Sequence, residues 1–291
     1  MNSVESLYFS APDGLTLHTL VAGPNDADRM PVFCLPGLAR TAEDFRELIE
    51  ALAFDRKRPR RVIALDARGR GKSAHDPDPA KYSVPVELGD VLALLDATGI
   101  GRALFVGTSR GGILTMAMGA ARPRAVGGAV LNDIGPVIEM AGLLRIKGYV
   151  GRMPQARDFR DATTLLRSVM GNQFPAWDDA TWGLYARRTW EETERGLVPR
   201  YDPALSQSLA HLDPGEPVPA LWPQFDALEG APVMVVRGEH SDILSRATVA
   251  AMSARRKDLE AIEIPGQGHA PLLSGDETIG AIAAFAERCD G

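Results

Sequence analysis

The sequence offers little to tie it to a disulfide-bonded, membrane-bound or nucleic-acid setting. It holds two cysteines in 291 residues, Cys34 and Cys289, in no metal-ligand spacing. Two thiols so placed build no disulfide framework and fit a reducing compartment. No apolar run approaches the ~18 residues that a membrane span needs. The opening MNSVESLYFSAPDG lacks the basic and apolar regions of a secretory leader. The expectation is a cytoplasmic protein with no membrane partner. Basic residues are outnumbered, and the formal net charge is −6, which argues against a nucleic-acid partner. The one basic run, Arg56-Lys57-Arg58-Pro59-Arg60-Arg61, reads as a solvated loop. No His-x-x-x-His pair or Cys/His cluster suggests a metal, and no cofactor is expected.

Aromatic residues are also scarce, at 6%, yet 45% of the chain is hydrophobic, enough to build a large core. Its periodicity organises the chain. Ser6–Ser10 and Leu15–Ala22 flank the turn signal Pro12-Asp13-Gly14 and read as a hairpin. Strand and helix patterns then alternate: strand 32–35, helix 41–53, strand 61–65, helix 84–98, strand 103–106, helix 111–121, strand 127–131. Thr41 with Asp44 three residues on suggests a capping box. This alternation implies a mostly parallel sheet with helices on both faces. It stops over 135–229, which shows helical patterns such as 179–196, no clear strand and all four tryptophans. It resumes with strand 233–236, helix 245–254, strand 261–264 and helix 278–289. The expected organisation is a core domain, 1–134 and 230–291, interrupted by a helical insertion, 135–229. Aromatic residues in the insertion read as its own core rather than as substrate contacts, and Glu191-Glu192-Thr193-Glu194-Arg195 as a solvated face.

The chemistry centres on Gly107-Thr108-Ser109-Arg110-Gly111, a G-x-S-x-G between an apolar strand and a helix. A turn that tight needs glycines where side chains would collide, and it lifts the serine hydroxyl above the sheet at a helix N-terminus. A serine hydroxyl needs a base, and the base an orienting carboxylate. His269, in Gly266-Gln267-Gly268-His269 after the last strand, is the best-placed base. His18 belongs on a solvent face of the hairpin; His75, His211 and His240 sit in loops or the insertion. Three acids are available beyond strand ends. Asp242 is preferred, with Asp133 and Glu239 as alternatives. Backbone N–H groups of Leu38, after Pro36-Gly37, and of Arg110 are the candidate oxyanion hole. Arg40 could reach a substrate carboxylate but reads as exposed. The segment Asp66–Ser73 ends in Gly-Lys-Ser, yet a phosphate-binding loop would need glycine where Asp66 stands.

The segments PGLAR, DARGRGKS, VGTSRGG, LNDIGP, RGEHSDIL and GQGHAP follow one another in the order found in the α/β-hydrolase superfamily, which the chain resembles over essentially its whole length. The resemblance implies an eight-stranded sheet with an antiparallel edge near its start and a cap between the sixth and seventh strands. It implies Ser109 as nucleophile, His269 as base and Asp242 as acid. Serine at the elbow sets the chain apart from the epoxide hydrolases and haloalkane dehalogenases. The expected activity is hydrolysis of a small-molecule carboxylic ester or lactone. A carbon–carbon bond hydrolase, a thioesterase and a non-catalytic ligand sensor are the alternatives, and pairing into a homo-oligomer stays open.

Overall fold

The chain opens with a hairpin of β1 (Glu5–Ser10) and β2 (Thr16–Ala22). It then alternates through β3 (Val32–Leu35), α1 (Arg46–Ala53), β4 (Val62–Asp66), α2 (Val84–Thr98), β5 (Ala103–Thr108), α3 (Arg110–Ala121) and β6 (Val126–Asn132). The structure is a computed structural model and describes residues 3–25, 28–194 and 196–290. Next come α4 (Met140–Tyr149), α5 (Phe159–Met170), α6 (Asp179–Thr189), β7 (Trp190–Thr193), β8 (Gly196–Pro199) and the short α7 (Trp222–Asp226). The chain closes with β9 (Val233–Gly238), α8 (Arg246–Arg255), β10 (Glu260–Ile264) and α9 (Asp276–Cys289).

Eight strands form one sheet in the order β1-β2-β4-β3-β5-β6-β9-β10, and β7 pairs with β8 separately. Only β2 runs against its neighbours in the large sheet. The sheet is mostly parallel with helices on both faces, as the alternation of strand and helix patterns implied. Alternation along the central strands builds two cores, because successive side chains leave a strand on opposite faces. Phe33, Leu35, Ile63, Leu65 and Phe105 pack with α2 and α3 on one side. Val32, Cys34, Val62, Ala64 and Leu104 pack with α1 and α9 on the other. No helix among the described residues is long and apolar enough to cross a membrane.

Several local expectations change. Residues 135–229 do hold strands: the helix expected over 179–196 ends at Thr189, and β7 and β8 follow as an antiparallel hairpin. Glu191–Glu194 are exposed as expected, and Arg195 lies outside the described residues. Trp182 and Trp190 are buried in a core of that segment's own. Thr41 makes no side-chain cap, and the Asp44 carboxylate, which would complete a capping box, is held instead by the guanidinium of Arg40. In the basic run, Arg60 is buried and grips Asp290 through two bonds of 2.7 Å. His18 is also buried, contrary to the solvent face expected for it.

Both cysteines are free and buried. Burial pushes the Cys34 thiol above its ordinary range and that of Cys289 up to about 11. The thiolate is the reactive form, so the folded protein should resist a thiol-specific disulfide reagent at pH 8. Two equivalents should react in denaturant. Fast labelling before denaturation would contradict this packing.

Candidate active site

Parallel strands deliver their loops to one edge, so residues that follow β3, β5, β6 and β10 meet above the carboxyl ends of the sheet. Ser109 follows β5 with φ 51° and ψ −110°. A side chain in that region is strained, and two glycines make the turn feasible. A Cβ on Gly107 would lie 2.4 Å from the Gly111 carbonyl oxygen, and one on Gly111 only 2.0 Å from that of Leu35. The Ser109 N–H donates to the Asn132 carbonyl at 2.9 Å, tying the turn to the end of β6.

The next residue after β6 is Asp133. Among the described residues, the non-glycine positions with positive φ are Ser109 and Asp133, the latter at 55°. The Asp133 side chain is wholly buried. One carboxylate oxygen accepts from the Gly238 N–H at 2.8 Å; the other accepts from the Ser241 hydroxyl at 2.6 Å. That second oxygen also lies 2.8 Å from Nδ1 of His269, whose Nε2 lies 2.9 Å from Oγ of Ser109. An ionised carboxylate can only accept. Nδ1 therefore donates to Asp133, and Nε2 is left to accept from the serine hydroxyl.

The geometry thus corrects the preferred acid. Asp242 receives two bonds from Arg145 of α4, at 2.6 and 2.7 Å, and stands apart from the imidazole. Its backbone carbonyl also accepts from the Gly142 N–H, which fixes that loop against α4. Asp133, named as an alternative, occupies the place because β6 adjoins β5 in the sheet. Glu239 accepts from the Gly266 N–H at 2.8 Å and shapes the loop that carries His269. His240 is exposed, and its backbone N–H donates to the Gln267 carbonyl.

Residues the sequence did not single out hold the site. Gln173, between α5 and α6, accepts from the His269 N–H at 3.0 Å. Glu87 of α2 is buried and receives Arg70 and Arg110, each at 2.7 Å. Arg70 in turn donates to the Leu38 carbonyl at 2.7 Å. One carboxylate thereby braces both segments named as oxyanion donors. The DARGRGKS segment is structural: Arg68 is buried against Asp90 and Asp76.

Burial works to raise the Glu87 pKa, but Arg70 and Arg110 outweigh it, and the net shift is downward from 4.5. A carboxylate with a lowered folded pKa contributes stability that is complete above its unfolded value and is lost as pH falls through the folded one. Glu87→Gln leaves two guanidinium groups short of their anion. It should cost about 3–5 kcal/mol at neutral pH, with the deficit shrinking on acidification below 4.5. Denaturant melts of both proteins at several pH values check this; equal stability at pH 7 would contradict it.

Ser109 and His269 line an open-mouthed pocket. Its walls combine core residues such as Leu38, Phe45 and Leu273 with Met153, Leu166 and Tyr185 from the 135–229 segment. Arg40 lies in this wall, not exposed: it holds Asp44 through two bonds of 2.6 Å, donates to the Thr189 hydroxyl and lies 3.9 Å over the Tyr185 ring. Burial opposes the Arg40 charge, Asp44 outweighs that, and the guanidinium is held charged above its ordinary pKa. The ion pair is internally neutralised, so the pocket presents a mostly apolar wall.

A family model described as the alpha/beta hydrolase family matches residues 32–281. A 3-hydroxybutyrate-oligomer hydrolase of Cupriavidus necator is 31% identical over 280 residues, covering 90% of each chain. A 2-(acetamidomethylene)succinate hydrolase of Mesorhizobium japonicum is 28% identical over 225 residues, 77% of each chain. The crystal structure of an alpha/beta hydrolase from Novosphingobium aromaticivorans superposes with a TM-score of 0.91 at 40% identity, covering 99% of both chains.

Proposed function

The chain belongs to the alpha/beta hydrolase family, and on that footing we propose that it hydrolyses small carboxylic esters through an acyl-enzyme on Ser109. The observation that carries this reading is the unbroken hydrogen-bond chain Ser109–His269–Asp133, whose two ends are the strained backbone positions. Strain of that kind is retained where surrounding structure enforces it, and it concentrates at functional sites.

In this reading Oγ of Ser109 attacks the ester carbonyl as Nε2 of His269 takes its proton. Asp133 holds the imidazole tautomer and stabilises the imidazolium. The Leu38 and Arg110 N–H groups receive the oxyanion; each such donor typically contributes about 10²–10³ in rate. His269 returns the proton to the leaving alcohol, and water then cleaves the acyl-enzyme. Segment 135–229 serves as a cap over the pocket, and its apolar side chains favour a neutral acyl group. The name of the Cupriavidus necator relative supports including linear esters of short hydroxy acids among the substrates.

The test is a panel of aryl esters of rising acyl length, lactones, thioesters and linear 3-hydroxybutyrate oligomers, followed by pre-steady-state kinetics on the best substrate. Ester turnover with a burst of alcohol release is expected. Tight ligand binding with no turnover across the panel would instead support a sensor. Thioesters turned over well ahead of their oxygen esters would replace the ester reading.

A further inference from the structure

At the antiparallel edge of the sheet, far along the chain from Ser109, stands a second serine–histidine–aspartate arrangement. Ser6 lies on β1, His18 on β2 and Asp66 at the end of β4. Nδ1 of His18 is 2.7 Å from a carboxylate oxygen of Asp66, and its Nε2 is 2.9 Å from Oγ of Ser6. These separations match those at Ser109 to within about 0.1 Å. Asp66 is fixed as firmly as Asp133: it also accepts from the backbone N–H groups of Ala42, at 2.8 Å, and Lys72, at 3.0 Å. His18 and Asp66 are buried, whereas Ser6 is exposed. The Lys72 ammonium lies 3.5 Å from the Ser6 hydroxyl.

We infer that Ser6 is a second activated serine, open to acylation or phosphonylation by small reactive electrophiles such as aryl esters and fluorophosphonates. A buried histidine–aspartate pair has a structural use of its own, as a strut from β2 to β4. That use does not require a hydroxyl at the solvent end. With Nδ1–H committed to Asp66, Nε2 of His18 accepts from the Ser6 hydroxyl and can take its proton as Oγ attacks. With an aryl ester, the Oγ–carbonyl bond forms, the carbonyl–phenoxide bond breaks, and the proton passes from His18 to the departing phenoxide. With a fluorophosphonate, the Oγ–phosphorus bond forms, fluoride leaves, and the proton is released to solvent.

The two sites differ in what receives the developing oxyanion. Lys72 is an exposed cation, not a pair of preorganised N–H donors, so labelling of Ser6 should run about 10²–10³ more slowly than that of Ser109. The site is read independently of Ser109 by using Ser109→Ala protein. Overnight treatment with a fluorophosphonate, followed by intact mass and peptide mapping, should give one adduct on Ser6. That adduct should vanish in Ser109→Ala/Ser6→Ala protein and in urea-unfolded Ser109→Ala protein. Ser6 is exposed, so the double variant should keep its fold, checked by circular dichroism. No adduct, an adduct on another residue, or a Ser6 adduct that forms equally in urea would overturn the inference.

Discussion

Asp133→Asn is expected to lower kcat by about 10³–10⁴-fold, because an amide at that position favours the wrong imidazole tautomer while leaving the geometry nearly intact. Asp242→Asn should change kcat by less than about tenfold, since it loses a partly exposed ion pair with Arg145. The contrast follows from where each carboxylate points: one against Nδ1 of His269, the other against a guanidinium on α4. Steady-state kinetics of both variants on the best ester decide it. A collapse of activity in Asp242→Asn with Asp133→Asn near normal would reverse the assignment.

A larger loss is expected of Ser109→Ala, about 10⁶-fold in kcat, because the serine and histidine act as a unit. Its fold should survive, since the change removes only the hydroxyl. The residue keeps its strained backbone, and alanine tolerates that conformation no worse than serine. KM should move little if the cavity, rather than the hydroxyl, binds the substrate. A residual rate within tenfold of the native one would show that hydrolysis proceeds elsewhere.

The sheet and its flanking helices were legible because burial on both faces leaves a strong mark: β3 through β6 carry nearly unbroken apolar runs. The serine turn was legible for a related reason, since only glycine fits where Gly107 and Gly111 approach backbone carbonyls. The acid was not, because three carboxylates follow strand ends and a sequence does not show which way each faces. One signal was available: Asp133 follows β6 immediately, and aspartate is among the residues that tolerate positive φ. Asp242 stands four residues beyond the end of β9, with Arg145 as a competing partner that only the fold brings near. The burial of Arg60 and His18 was hidden for the same reason. Each charge or ring is matched by a residue distant in sequence, Asp290 and Asp66 respectively, so local polarity suggests solvent where the fold supplies a partner. The β7–β8 hairpin was missed because its strands are four residues each and one is half charged.

The most direct measurement is a brief fluorophosphonate exposure of native and Ser109→Ala protein, read within minutes by intact mass and mapped by peptide. The account expects a single adduct on Ser109 of the native protein and none on the variant on that time scale. A native protein that stays unlabelled by a reagent small enough to enter the cavity, or a label on any other residue at that speed, would contradict an activated nucleophile at Ser109.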